Sequence, residues 1–111
     1  MLAWQEAILL VKEIYALTAS FPKSETYGLV GQMRRAAVSV PSNIAEGAAR
    51  ESTKELAQFL VIARGSLSEL ETQLVIAREL GYCTAEQALI SRVDHVFKLL
   101  QGLIKKSRVP E

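Results

Sequence analysis

Cysteine and histidine are nearly absent from this chain of 111 residues, which contains one of each, Cys83 and His95. A single cysteine cannot form an intramolecular disulfide, and this fits a reducing compartment. One cysteine and one histidine on different predicted helices are too few ligands for a zinc site. A di-iron site in a helical bundle needs two Glu-x-x-His motifs, and no glutamate stands three residues before His95. The sequence therefore predicts neither a metal nor any other cofactor.

Common catalytic motifs are missing as well. The chain has no glycine-rich phosphate loop, no Walker-type sequence and no nucleophile elbow. Helical-bundle ribonucleases of the HEPN type require a longer spacing than the two residues that separate Arg92 from His95. This segment is interpreted as a surface face, so we expect that the protein is not an enzyme. A hydrolase of nucleic acid with His95 as general base is the least favoured alternative.

Neither sign of charge dominates, because 13 basic and 12 acidic residues give a net charge of +1. Such a balance provides no overall field that would attract nucleic acid. The local balance is less even, since an acid-free basic run lies near the C-terminus: Lys98, Lys105, Lys106 and Arg108. A run of this kind is commonly a solvated helix end that complements the helix dipole, and nucleic-acid binding is the alternative.

Long uncharged apolar segments are also absent. Glu6, Lys12 and Glu13 interrupt the apolar N-terminus, and no basic segment precedes it. The sequence therefore predicts neither a signal peptide nor a membrane span, and it favours the cytoplasm.

What the chain does have is apolar residues, which make up 50% of it and exclude disorder. The length fits one domain over residues 1–111. The mean hydropathy of +0.17 is high for a water-soluble bundle. Burial of apolar surface against another subunit and a generous core both account for this value, and composition does not separate them.

Four amphipathic stripes predict an all-α fold, an antiparallel up-down-up-down four-helix bundle with helices at about 2–18, 24–49, 53–80 and 85–107. The clearest stripe, in the third helix, alternates spacings of four and three: Leu56, Leu60, Ala63, Leu67, Leu70, Leu74 and Ala77. Ser24 is expected to cap the second helix, and capping boxes at 52–55 and 84–87 open the third and fourth. Gly81 is expected just past the end of the third helix. In the first helix, two parallel apolar stripes predict contacts with two neighbouring helices.

A polar stripe runs along the second helix and includes Gln32, Arg35, Ser39, Asn43, Glu46 and Arg50. Pro41 lies inside the apolar pattern of this helix, which continues across it, so a kink is expected there rather than a break. The stripe is interpreted as a link to a neighbouring helix or subunit. A solvated face is one alternative, and a helix restarted after the proline with Asn43 as its cap is another.

Two segments resemble the family of four-helix bundle proteins encoded in intervening sequences of bacterial 23S ribosomal RNA genes, also called the S23 ribosomal protein family. Residues 31–47 (GQMRRAAVSVPSNIAEG) match its first motif without a gap, and residues 63–71 (ARGSLSELE) look like its second. The similarity extends over about residues 4–104. It implies an up-down-up-down bundle and a ring-like homopentamer. The relatives include the accessory variability determinant of diversity-generating retroelements, which is much more basic and binds reverse transcriptase and nucleic acid.

The resemblance also supplies candidate structural or interface residues: Ser39, Asn43, Glu46 and Gly47 in the first motif and Gly65, Ser66, Glu69 and Glu71 in the second. Because a glycine inside a helix costs about 1 kcal/mol relative to alanine, close approach of another helix is expected at Gly65. A pair between Arg34 or Arg35 and one of the two glutamates, Glu69 or Glu71, is the expected link between the motifs.

Two functions compete at this point. The favoured one is a non-enzymatic protein that assembles with copies of itself, with no other partner identified. The alternative is an RNA- or DNA-binding accessory protein that uses Arg34, Arg35 and the basic run from Lys98 to Arg108, repeated around an oligomer.

Overall fold

The computed structural model describes residues 1–84 and 86–108. Within these ranges it contains a short 3-10 helix at Lys23–Glu25 and four α-helices: α1 (Leu2–Thr18), α2 (Leu29–Ala48), α3 (Thr53–Glu79) and α4 (Gln87–Arg108). The backbones of α1 and α3 each lie beside those of α2 and α4, whereas the backbones of the diagonal pairs stay further apart. The helices therefore stand at the corners of a square, and the predicted all-α four-helix bundle is confirmed.

The core consists of one apolar stripe from each helix. α1 contributes a stripe that begins with two alanines, Ala3 and Ala7, and continues with Leu10 and Ile14. The small side chains let this helix lie close to the core, and the bulkier stripe beside them (Trp4, Ile8 and Tyr15) remains on the surface. Only one of the two apolar stripes of α1 is thus buried inside the subunit.

The start of α2 differs from the sequence expectation. Ser24 lies in the 3-10 helix and makes no capping bond, and α2 begins five residues later, at Leu29. The carboxylate of Glu25 accepts a hydrogen bond from the backbone N–H of Leu29 at 3.3 Å. An acidic side chain thus satisfies one of the free N–H groups at the helix start and complements its dipole.

α2 continues through Pro41 without a break. The amide of Asn43 donates to the backbone carbonyl of Ser39 at 2.8 Å and to the Ser39 hydroxyl at 2.9 Å. Asn43 therefore does not cap a restarted helix, which excludes one of the alternatives for the polar stripe.

The ends of α3 follow the sequence prediction. The Ser52 hydroxyl accepts a hydrogen bond from the backbone N–H of Glu55, as an N-cap does. Past the last turn, Gly81 has a φ of +78°, and Tyr82 N–H bonds to the carbonyl of Ala77. This is a Schellman ending, which requires a residue in the left-handed region and so favours glycine. α4 begins only at Gln87, later than its predicted box, whose Ala85 lies outside the described residues.

No helix in the described part of the chain combines the length and apolar character that crossing a lipid bilayer requires.

Candidate functional site

Large apolar side chains are exposed on α1, α2 and α3 and in the turns beside them, but on none of the described residues of α4. Three of them (Trp4, Ile8 and Tyr15) share one stripe of α1 and are 41–43% exposed. Val38 on the outer side of α2 is 40% exposed. The sequence predicted that this stripe would contact a neighbouring helix, but within the subunit it stays largely open to solvent.

Two shallow depressions lie between α1 and α2, one towards each end of this stripe. The upper one is lined by Tyr15 together with residues of α2: Gly31, Arg34, Arg35, Val38 and Ser39. The lower one is lined by Met1 and Trp4 together with Ile44, Ala45, Ala48 and Ala49. We call the two depressions together the α1/α2 groove. Apart from two arginines and one serine, its lining is apolar or small.

Arg34 is held inside the subunit. Its Nε donates to the Thr18 hydroxyl at 3.0 Å, and its guanidinium carbon lies 4.4 Å from the centre of the Tyr15 ring. The positive charge thus sits beside the C-terminal end of α1, where the helix dipole favours it, and it stacks on an aromatic face. Arg34 consequently serves to join α1 to α2.

The predicted ion pair between the two motifs is wrong for the isolated subunit. Neither Arg34 nor Arg35 pairs with Glu69 or Glu71 among the residues that the structure describes. The two arginines project from α2 in directions that do not lead to these glutamates. Arg34 faces α1, and Arg35 lies over Gly31. Glu69 accepts instead from the side-chain amide of its own helix neighbour Gln73, at 3.2 Å, so the link must be sought elsewhere.

The two motifs meet through serines. The hydroxyls of Ser39 on α2 and Ser66 on α3 share a hydrogen bond of 2.8 Å, and Asn43 bonds to Ser39 from one turn further along. Glu46, in the last turn of α2, pairs at 2.6 Å with Arg50, which lies just past the end of that helix. The middle of the polar stripe is therefore a link between neighbouring helices, while its C-terminal end is a solvated ion pair.

The glycines of the motifs have opposite surroundings. A Cβ at Gly47 would lie 2.8 Å from the Cβ of Phe59 on α3, so α2 and α3 approach each other closely there. A Cβ at Gly65 would meet nothing within 4 Å. The predicted close approach at Gly65 is therefore wrong within the subunit, because this residue lies on the outer side of α3.

The remaining predicted residues lie apart from this region. Glu71 lies on the α4 side of α3, where it lines a small groove with Arg78 and Ile90. The four residues of the basic run, Lys98, Lys105, Lys106 and Arg108, are all exposed on α4, diagonally opposite α2. One subunit therefore does not gather Arg34, Arg35 and this run into one patch, and nucleic-acid binding stays a prediction.

A charged cluster that sequence reasoning missed closes the corner between α1 and α4. Arg92 bridges Glu6, at 2.7 Å, and Glu13, while Nδ1 of His95 lies 2.9 Å from Glu6. The sequence gives only a weak indication of this cluster. Its two glutamates are seven residues apart and lie on one face of α1, but their partner is about eighty residues away along the chain. No group of three or more potential metal ligands occurs within the described ranges.

A second contact between distant segments joins the two turns at the upper end of the bundle. The Tyr82 hydroxyl donates to the Glu25 carboxylate at 2.9 Å, and the Tyr82 and Phe21 rings lie 5.5 Å apart. The hydrogen bond to the carboxylate, followed by partial desolvation, raises the pKa of Tyr82 above its usual value of 10.0.

We expect this contact to make stability fall at high pH. A phenol pKa that is higher in the folded state contributes stability below the unfolded-state value, and that contribution is lost as the pH rises through the folded-state value. The unfolding free energy of Tyr82→Phe should therefore decrease less than that of the wild type between about pH 8 and about pH 11. Urea titrations across this range test it. Tyr27→Phe, at a fully exposed tyrosine, should behave as the wild type does.

The fold and these contacts define a small helical bundle whose two sequence motifs fasten α2 to α3. The family model described as 23S rRNA-intervening sequence protein matches residues 1–102, and the chain belongs to this family. No curated protein matches the chain closely enough to serve as a relative.

Proposed function

We propose that this protein is a non-enzymatic assembly protein, whose subunits associate with one another into a ring, five in number as the sequence resemblance implies. The observation that carries the proposal is the α1/α2 groove. Trp4, Ile8 and Tyr15 leave more than two fifths of their surfaces exposed along one stripe of a small subunit. Contiguous exposed apolar surface of this kind marks sites of association in soluble proteins.

The groove suits a protein partner better than a small substrate. Its two depressions are shallow and open to solvent, and its polar lining consists of Ser39 and two arginines, one of which is engaged with Thr18. Its residues include neither a nucleophile paired with a base nor a cluster of carboxylates. The one His-carboxylate contact described, between His95 and Glu6, lies at the α1/α4 corner instead.

Multi-angle light scattering of the purified chain tests the proposal. The expected mass is several times the 12.2 kDa of one subunit, and about five times for the ring that we propose. A monomer throughout the micromolar range would contradict it.

A matched pair of substitutions on α1 tests the surface. Ile8 and Leu9 are 41% and 42% exposed, but only Ile8 lies on the stripe of Trp4 and Tyr15. A lysine at position 8 would place a charge in a desolvated contact, so Ile8→Lys should dissociate the assembly and Leu9→Lys should leave its mass unchanged. Equal behaviour of the two variants would show that the groove is not the contact surface.

A further inference from the structure

The outer side of α3 carries a second exposed stripe, and the hydrogen bonds described for its side chains all stay within α3. Ile62, Glu69 and Ile76 are spaced by seven residues and therefore lie almost in line along the helix. Ile62 and Ile76 are 51% and 43% exposed, and Glu69 stands between them. Gly65 and Thr72, both exposed, occupy the intervening turns. We call these five residues the α3 stripe.

Gly65 indicates that the α3 stripe contacts another molecule. A glycine in mid-helix costs about 1 kcal/mol relative to alanine, and here no close contact within the chain compensates, since a Cβ would meet nothing within 4 Å. Gly47, by contrast, lies against Phe59 of its own subunit. A helix of another molecule that packs against α3 at Gly65 would account for the missing side chain, because small residues let helix backbones approach closely.

We propose that the α3 stripe is the surface on which a neighbouring copy of this chain seats its α1/α2 groove. The inference rests on the assembly proposed above and specifies its contact. Both surfaces are apolar, and their charges are complementary: Arg35 at the upper end of the groove is basic, and Glu69 in the middle of the stripe is acidic.

The heights of these two charges along the bundle agree. The Ser39–Ser66 hydrogen bond fixes the level of α2 against α3. Arg35 lies four residues before Ser39 and Glu69 three residues after Ser66, on helices that run in opposite directions. At about 1.5 Å per residue, both lie about 5 Å above the serine pair. In a ring whose axis runs parallel to the helices, groups of equal height meet, so Arg35 of one copy reaches Glu69 of the next.

The arrangement also determines the kind of assembly. The groove and the stripe are different surfaces, on α1 and α2 and on the outer side of α3, so the contact is head-to-tail. A head-to-tail contact closes into a ring when its rotation permits. An isologous dimer would instead bury the groove against itself and leave the α3 stripe free.

Substitution of Gly65 tests the surface without disturbing the subunit. Gly65→Gln adds a helix-favouring side chain in open space, so the subunit should stay folded while the neighbouring helix is held away. We expect at least a tenfold rise in the subunit concentration at which half of the protein is assembled, a change of about 1.4 kcal/mol. The control is Gly102→Gln on the outer side of α4, another exposed helical glycine with nothing within 4 Å. Circular dichroism should show equal helix content in both variants.

Charge reversal tests the pairing. Arg35→Glu and Glu69→Arg should each weaken assembly, because each sets like charges against one another. An equimolar mixture of the two variants should assemble better than either variant alone, since the groove of one then complements the stripe of the other; in a ring of five, four of the five contacts can be matched in this way. A pair formed within one subunit would give no such rescue by mixing.

The results separate the two proposals. A monomeric wild type would end the proposed function itself. A wild-type oligomer that tolerates Gly65→Gln as well as Gly102→Gln, or that shows no rescue in the mixture, would overturn only the contact inferred here.

Discussion

Gly47→Ala should destabilise the folded subunit by about 1–3 kcal/mol, the range measured when extra methylenes are forced into packed interiors. The added methyl would lie 2.8 Å from the Cβ of Phe59, and 3.1 Å from Cδ1 of Leu56. The Cβ of Phe59 is fixed to the backbone of α3 and cannot rotate away. The two helices must therefore separate, and the Ser39–Ser66 hydrogen bond two turns away becomes strained.

The higher helix propensity of alanine opposes this destabilisation, but its effect is smaller. Alanine favours a helix over glycine by about 1 kcal/mol and also lowers the entropy of the unfolded chain. Gly102→Ala isolates this term, because its methyl would meet nothing within 4 Å, and it should raise stability by up to about 1 kcal/mol. Urea denaturation at one fixed subunit concentration measures both variants, since assembly makes apparent stability depend on concentration. Equal stabilisation by the two substitutions would contradict the close approach at Gly47.

Gly47 and Gly65 show what a sequence motif can and cannot specify. Both stand in family motifs, and a helical glycine suggests that something packs closely upon it. The sequence does not say which surface each glycine faces. That depends on the rotation of the helix about its own axis, which is set by the whole bundle. The prediction of close approach was consequently placed at Gly65, whereas inside the subunit it belongs to Gly47.

The helices themselves could be predicted because local signals sufficed. Apolar periodicity places the four elements, and the bonds at Ser52 and Gly81 end α3 as their residue types indicate. The start of α2 was predicted too early, because a serine before a glutamate also suits a 3-10 turn. The carboxylate that does assist α2 acts from four residues before Leu29.

Side-chain partners across helices were the least predictable part of the site. The sequence predicts an acidic partner on α3 or nucleic acid for Arg34, yet this residue stacks on Tyr15 of α1. On α1, two apolar stripes of similar strength left open which of them enters the core. The alanines of one stripe decide it, since they allow the close packing that Trp4 would prevent. Which stripe is buried depends on the volumes of side chains that meet only in the folded bundle, and apolar periodicity carries no information about volume.

The second large effect should come from Arg92, whose guanidinium lies between two carboxylates at the α1/α4 corner. Arg92→Met keeps an unbranched apolar stem similar to that of arginine and removes the guanidinium with its charge. Glu6 and Glu13, whose side chains are 17% and 30% exposed, would then repel each other without a cation. Removing one partner of a fully buried pair costs about 3–5 kcal/mol, and partial solvation reduces the loss expected here to about 1–3 kcal/mol.

Three comparisons test whether the loss is electrostatic. Arg64→Met, at an arginine that bonds to Gln101 on the exposed α3/α4 side, should change stability by less than about 0.5 kcal/mol. Adding Glu6→Gln and Glu13→Gln to Arg92→Met should recover part of the loss, because the uncompensated carboxylates are then gone. The difference between wild type and Arg92→Met should also narrow as salt is raised. Were Arg92→Met no more harmful than Arg64→Met, apolar packing of α1 against α4 would suffice to hold this corner, and the ion cluster would be incidental to the fold.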